Sequence, residues 1–578
     1  MLSKLDRSFL AKYLKPQWPR AALLGVLLFA GIGFQLANPQ IAKIFIDQAQ
    51  SGAPFDRLVH IAIAFLGVAL FTQLAVIAET YVSENLGWRT TNALRADLTR
   101  HVLSLDGSFH SKHGAGELIE RIDGDVSAIA DFFSRFVLQV LGSAVFLAGV
   151  LGLLFVADWR VGGLLTAFAL GALVYMTRGG GFVGVRARRA RRAAAELSGF
   201  VEERLGALPD MKSSGADAYV MRRMHERLAD RFHRIASSAM GASLFSSTIG
   251  LFFVVGAGAA LLLSATLVRS GAITLGTVYV VFRYTTMLRL PLERLSRQMN
   301  SFQQATGGIV RVRELLSVES RVVDGPGAAL PDGALEVELD DVSFAYEDEP
   351  VLKDVSFRLA PGQVLGLLGR TGSGKTTISR LLFRLHDPVS GVVRLSGIDV
   401  RAAGLEALRA RIALVTQDVQ LFDATLRDNV TLFDDAVPDG RLLDVFGALG
   451  LGEWLNALPD GLDTVLGPHG RGLSAGEAQL VALARVFLKD PDLVVLDEAS
   501  SRVDPATERL LERAVSRLLS GRTGVVIAHR LATVDRASTI VILEDGRVAE
   551  IGPRAELVAD PDSRFSQLLR AGMAEALT

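Results

Sequence analysis

Apolar and polar positions divide this chain near residue 300. Before that point long apolar runs recur at residues 21–41, 58–78, 136–156, 161–176, 244–268 and 273–290. A helix needs about 20 mostly apolar residues to cross a bilayer. Four runs meet this easily. The runs at 161–176 and 273–290 are short or interrupted, but the stretches before them, 157–160 and 269–272, are long enough only for hairpin tips. Six spans are therefore predicted. Residues 1–20 lack a small-residue cleavage site and read as an interfacial helix leading into the first span, not as a signal peptide.

Basic residues orient the spans. Lys4, Arg7, Lys12, Lys15 and Arg20 precede the first, and Arg186, Arg188, Arg189, Arg191 and Arg192 follow the fourth. The nominal outer loops carry only Arg57, Arg160 and Arg269. This predicts a multi-pass protein of the cell (inner) membrane with a cytoplasmic N-terminus. An even number of spans leaves the C-terminal half cytoplasmic too. The inner segments 79–135 and 177–243 read as helices running well past the bilayer, each broken by a short transverse helix, near 110–118 and 213–219. The arginine run reads as the solvated face of such a helix rather than a nucleic-acid patch.

Residues 317–334 are rich in Gly, Pro and Asp and read as a linker. Beyond it the pattern changes to short strands, at 335–339, 364–368, 493–496 and 524–528, with helical stretches between them. The last two are apolar enough to be buried parallel strands. The fold class is thus multidomain: an all-α, six-helix transmembrane domain over 1–316, then an α/β nucleotide-binding domain over 335–578. Composition agrees, with half of the residues hydrophobic and 21% charged. Lys+Arg 61 against Asp+Glu 62 gives a net charge of -1 and no hint of a nucleic-acid partner. Cysteine is absent, which excludes disulfides, thiolate metal sites and cysteine nucleophiles.

The chemistry begins after strand 364–368. Gly369, Arg370, Thr371, Gly372, Ser373, Gly374, Lys375 and Thr376, with Thr377 next, match G-x-x-x-x-G-K-[ST] between a strand and a helix, the context this motif requires. Its glycines let backbone N–H groups wrap phosphates, and the helix N-terminus adds positive potential. Lys375 is placed to reach the β- and γ-phosphates, and Thr376 to bind Mg²⁺. Strand 493–496 runs into Asp497 and Glu498. Asp497 is the second Mg²⁺ candidate, and Glu498 the candidate base that polarises the attacking water.

With LSAGE at 473–477, shortly before that acidic pair, the domain resembles the ATPases of ABC transporters, whose signature is LSGGQ. The resemblance implies further roles. Tyr346 stands where the family stacks an aromatic on adenine. Gln417 resembles the Q-loop glutamine, a further Mg²⁺ contact, and 501–504 the D-loop. His529 resembles the switch histidine at the γ-phosphate, and Ser474 and Gly476 contact nucleotide from the signature. The six spans, long inner loops and fused ATPase resemble the exporter class called type IV, and 109–126 resembles its first coupling loop. The implied protein is a half-transporter and ATPase. ATP and Mg²⁺ sit between the phosphate loop of one subunit and the signature of another. Its partners are a second half-transporter, membrane lipid and a small-molecule substrate.

Ala475 and Glu477 depart from the signature, and Arg502 from the D-loop. A methyl at 475 crowds the approach to the nucleotide, and a negative charge at 477 opposes it. At about 8 Å and an effective dielectric near 20 the repulsion is roughly 2 kcal/mol per phosphate charge. With Lys375, Glu498 and His529 intact, this asymmetry favours a heterodimer over a homodimer. Gln35, Asn38, Gln40, Lys43, Gln73 and Arg283 stand within the spans as cavity or helix-packing candidates. Gly179–Gly181 reads either as a flexible point or as a close-packing site. The predicted function is ATP-driven export of an amphipathic or small-molecule solute. The alternative is an exporter-fold importer of a metal chelate such as a siderophore. A soluble ABC ATPase acting on ribosomes or DNA repair is excluded by the spans.

Overall fold

The structure is a computed structural model that describes residues 11–131, 137–347, 349–416, 418–467, 472–497, 505–527 and 534–570. It forms two units. One holds the chain up to Leu103 together with Ala115–Val318, and the other holds Ser104–Gly114 and the chain from Glu319 onward.

The first unit is helical. Its long helices are α1 Trp18–Gln50, α2 Phe55–Ser104, α3 Val137–Ala157, α4 Trp159–Gly206 and α5 Asp217–Arg269, followed by α6 Leu275–Met287 and α7 Arg289–Leu316. At 48 residues, α4 is about 72 Å long, over twice the roughly 30 Å of a bilayer's hydrocarbon core. The excess is the extension into water that the polar inner segments imply. Residues 11–14 are helical and run, through a 3-10 turn at Lys15–Gln17, straight into α1; Pro16 sits in that turn. Residues 1–10, the first half of the expected interfacial helix, lie outside the described residues.

Five helices among the described residues are long and apolar enough to cross a membrane. The sixth expected span, 273–290, is divided. α6 ends after 13 residues, and Leu288 interrupts it before α7 begins. Pro291 explains the interruption: it has no N–H, and its ring clashes with the carbonyl four residues back, at Met287. The connections after α3 and α5 are short. Only Asp158 separates α3 from α4, and it caps α4 by accepting from the N–H of Arg160 at 2.8 Å. Asp47 at the end of α1 accepts from Thr274 Oγ1 and from the N–H of Gly276, both at 2.9 Å, fixing the start of α6.

In the glycine run Gly179 and Gly181 differ, since a Cβ on Gly181 would meet nothing within 4 Å. Gly179 is helical, and a Cβ there would lie 2.3 Å from the ring of Phe245, so it is a close-packing site. The break expected at 110–118 falls at 113–114, between two short helices, and the one expected at 213–219 falls at 214–216. Short helices occupy Gly107–Lys112 and Leu208–Ser213.

The second unit contains β1 Val337–Tyr346, β2 Glu349–Leu359, β3 Val364–Gly369, β4 Ser390–Leu395, β5 Ile398–Asp399, β6 Ile412–Val415, β7 Ala424–Thr425, β8 Val465–Leu466, β9 Leu493–Asp497, β10 Thr523–Ile527, β11 Thr539–Glu544 and β12 Arg547–Pro553. An antiparallel sheet has the order β2-β1-β4-β5. The central sheet has the order β12-β11-β3-β10-β9-β6, parallel except for its β12 edge. Its strands alternate between two cores. Leu365, Leu367, Val495 and Val525 pack toward the antiparallel sheet, while Leu368, Val494, Leu496 and Val526 pack with the helical side, against Leu480, Leu483 and Phe446. Burial on both faces is why these strands are uninterruptedly apolar. β3 and β9 end at the same edge, with β10 between them, so the phosphate loop and Asp497 lie there together.

Ser104–Gly114 belongs to this second unit. Asp106 caps its helix, accepting from the N–H groups of Ser108 (2.8 Å) and Phe109 (3.2 Å). Its other oxygen accepts from the N–H of Arg321 at 2.6 Å. Burial alone would raise the pKa of this carboxyl, but the bonds from Ser108, Arg321 and Phe109 outweigh it and hold the group below its ordinary value.

Candidate nucleotide site

Three glycines shape the loop after β3. Gly369, Gly372 and Gly374 have φ of 149°, 84° and 105°, which L side chains rarely adopt. A Cβ on Gly369 would lie 2.4 Å from the carbonyl oxygen of Leu543, and one on Gly374 would lie 2.5 Å from Leu352 Cδ2. The chain can turn here only without side chains. Gly374 then caps the helix Lys375–Leu382, so unpaired N–H groups face the loop's concavity.

Two polar side chains are buried in that turn. Lys375 is 6% exposed, and its Nζ donates to the carbonyls of Gly369 (2.6 Å) and Arg370 (3.0 Å). Ser373 is 5% exposed, and its Oγ has no hydrogen-bond partner among the described residues. A buried hydroxyl left unsatisfied costs about 1–3 kcal/mol unless a ligand completes it. Thr376 Oγ1 lies 3.4 Å from Asp497 Oδ2, bridging the loop to the end of β9. An ammonium, an orphan hydroxyl, a helix N-terminus and a threonine–carboxylate pair suit a polyphosphate and its hard cation.

At the end of β1, Tyr346 accepts a hydrogen bond from Arg380 Nη1 at 2.8 Å, and its hydroxyl lies 3.5 Å from Thr377 Oγ1. Its ring meets Phe344 and His386 edge-on, at 4.9 and 5.5 Å between centroids. Burial holds the His386 ring below its ordinary pKa, with Arg380 acting in the same direction. Arg380 and His386 carry no motif, so sequence reasoning missed them.

Ser474 caps the 15-residue helix Ala475–Lys489. Its Oγ accepts from the N–H of Glu477 (3.3 Å), and its own N–H donates to Glu477 Oε2 (2.7 Å). Glu477 Oε1 accepts from Trp454 Nε1 at 3.0 Å. The charge at 477 therefore does not simply face outward against a partner's nucleotide, as its sequence position suggested. Both carboxylate oxygens accept hydrogen bonds within their own chain. Such a capping box works with either Glu or Gln. Glu477→Gln keeps the box through its one acceptor oxygen but gives up the Trp454 bond, and is expected to leave ATPase activity within about twofold, whereas Glu477→Ala keeps Ser474's bond to the backbone N–H and loses both carboxylate bonds, about 1–3 kcal/mol. Turnover and thermal unfolding of both variants check this. Trp454 had no sequence signal, but the S-x-x-E spacing was readable as a box.

Gln417, Glu498, His529 and the D-loop at 501–504, with Arg502, lie outside the described residues. Thr371 and Arg370 are exposed on the loop, and Gly476 is buried behind Ser474. In the helical unit, Gln40 Nε2 donates to Tyr284 Oη (3.1 Å), which donates to the carbonyl of Leu36 (2.7 Å), so Gln40 joins helices. Asn38 Oδ1 is buried with no hydrogen-bond partner among the described residues. Gln73 and Arg283 are exposed, Lys43 is half-buried, and Gln35 lines a cavity.

Comparison with known proteins agrees with both halves. Residues 22–292 match the ABC transporter transmembrane region, and residues 352–501 match the ABC transporter ATPase family. The ATP-dependent lipid A-core flippase of Thiobacillus denitrificans is 30% identical over 567 residues, 96% of each chain. The protein so described in Burkholderia pseudomallei is 31% identical, over 94% of this chain and 92% of that one. A solved bacterial Atm1-family ABC exporter with ATP bound superposes with a TM-score of 0.78 at 26% identity, covering 96% of this chain and 98% of that one. The chain belongs to the ABC transporter family, as an exporter-type half-transporter with a transmembrane region fused to an ATPase. It is a membrane-spanning ATPase whose hydrolysis is coupled to transport.

Proposed function

We propose that this chain is one half of a dimeric exporter of an amphipathic solute, lying in the cell (inner) membrane with its N-terminus and ATPase domain cytoplasmic. The observation that carries the ATP site is the buried pair in the phosphate loop: Lys375 turned onto the loop carbonyls, and Ser373 with an orphan hydroxyl. Loop N–H groups from Gly369 to Thr377 hold the phosphates, and Lys375 balances their charge. Tyr346 stacks on adenine. Thr376, Asp497 and Gln417 hold Mg²⁺, which when bound neutralises charge on the β- and γ-oxygens. Glu498 takes the proton of the attacking water, and His529 contacts the γ-phosphate. Ser474 and Gly476 serve the nucleotide on the opposite subunit. The domains follow as a transmembrane domain over 1–316, a linker over 317–334 and an ATPase domain over 335–578, with Ser104–Gly114 and the linker from Glu319 grouped with the ATPase unit.

The amphipathic solute is supported by the relatives described as lipid A-core flippases, which carry a lipid. A non-identical partner is supported by Ala475 and Arg502. Glu477, already engaged in its own chain, adds nothing to that case. The test is ATP hydrolysis by the protein in lipid, alone and with a panel of solutes, alongside ATP-driven transport in vesicles. No hydrolysis overturns the reading. Full, solute-stimulated turnover by this chain purified alone makes it a homodimer.

Tyr346→Ala is expected to weaken ATP affinity by about 1–3 kcal/mol, the usual worth of base–aromatic stacking, with less change in saturated turnover. Titration with a fluorescent ATP analogue reads this directly. Unchanged affinity would make the ring a packing residue only.

A further inference from the structure

The helical unit holds a cavity of about 550 Å³, within the range of small-molecule sites, between α1, α2, α3 and the α6–α7 break. Its charged lining residues are Glu79, Glu84 and Arg294, two negative against one positive. Glu79 lies one residue beyond the apolar run 58–78, where an ionisable side chain marks function by default. It makes no hydrogen bond and no ion pair within 4 Å among the described residues, and the charge of Arg294, which lines the same cavity, acts on it from farther away. It is half-buried, and a Cβ on facing Gly31 would come within 3.9 Å of its Oε2.

The lining is graded along the helices. α2 and α7 run inward on the proposed topology, and α1 and α3 run outward. Ile32, Val76, Phe146 and Met287 therefore sit toward the outer end with Gln35, and Glu84, Gln139 and Arg294 toward the cytoplasmic end with Leu28, Glu79 lying between. A site mostly apolar at one end, with two carboxylates against one guanidinium toward the other, matches a molecule with a hydrocarbon tail and a cationic head. An anionic head would meet Glu79, whose charge Arg294 offsets only in part, and like charges in a partly desolvated site are costly.

We propose that this cavity is a binding site for a cationic amphiphile, with Glu79 as the counter-ion of its head. This rests on the reading of the chain as a transporter of amphipathic solutes and names the charge that reading leaves open. It also separates this chain's cargo from an anionic lipid.

The test uses the full protein, with any partner subunit, in phosphatidylcholine nanodiscs. Dodecylammonium and laurate serve as probes with similar tails and opposite heads. The cation is expected to stimulate ATP hydrolysis and laurate not to. Glu79→Gln is expected to raise the half-stimulating concentration of the cation roughly tenfold, the effect of losing one charged hydrogen-bonding partner. Glu79→Lys is expected to transfer the preference to laurate, which also separates site binding from general disturbance of the bilayer. Equal or better stimulation by laurate in the wild type overturns the inference. So does an unchanged half-stimulating concentration in Glu79→Gln, or a wild type that hydrolyses ATP without responding to the cation. A wild type that hydrolyses no ATP sinks the underlying transporter reading instead. Calorimetric titration with the same cation still reads the site in that case, and equal affinity in wild type and Glu79→Gln overturns the inference.

Discussion

Glu498→Gln should leave ATP bound and slow its hydrolysis by about 10²–10⁴-fold, the usual contribution of a positioned general base. The expectation rests on chain position. Asp497 closes β9 and lies 3.4 Å from the loop threonine, so the next residue follows directly from the phosphate site. A glutamine there keeps the size and hydrogen bonding of the side chain but cannot take a proton from water. ATP affinity should therefore hold while turnover falls. Single-turnover hydrolysis and nucleotide binding, measured on one preparation, separate the two. Near-normal turnover at the site built on this subunit's loop would remove Glu498 from its role.

Lys375→Ala should weaken ATP binding by roughly 2–3 kcal/mol, because hydrogen bonds to charged groups are worth about 1.5–3 kcal/mol. Hydrolysis at working ATP concentrations should fall with it. Two losses combine. The phosphates lose their ammonium, and the carbonyls of Gly369 and Arg370 lose their shared donor, so the loop loses an internal tie as well. Lys375→Arg should do little better. The ammonium sits in a space only 6% exposed, and a planar guanidinium cannot replace a compact point charge there. Equilibrium binding of a fluorescent ATP analogue reads both variants. An affinity within threefold of wild type for either would contradict this account.

Much of this was legible because its physics is local. The turn after β3 needs glycines at fixed offsets, and the lysine and threonine must follow within one helical turn, so spacing alone locates Gly369–Thr376. The buried strands announce themselves by apolar runs. Contacts between distant segments were not legible. Nothing at Tyr346 points to Arg380 or His386, and nothing at Glu477 points to Trp454. Glu477 is instructive because comparison with a motif flagged it as a defect, while its geometry makes it a cap. The sixth span was read from the shortness of its outer loop. Pro291, in plain view, already marked where the helix breaks.

The short stretch Ser104–Gly114 makes the ATP-binding unit discontinuous in the chain, which enters it, leaves and re-enters. A fragment starting at Glu319 would therefore not be the whole unit. It would lose Asp106, the acceptor for the N–H of Arg321, and Phe109, which is 8% exposed and packed at 4.5 Å on His113. Evolutionary shuffling meets the same obstacle. An ATPase domain exchanged from another transporter at the linker would arrive without the segment that completes it. The natural unit of exchange for this protein is the entire chain.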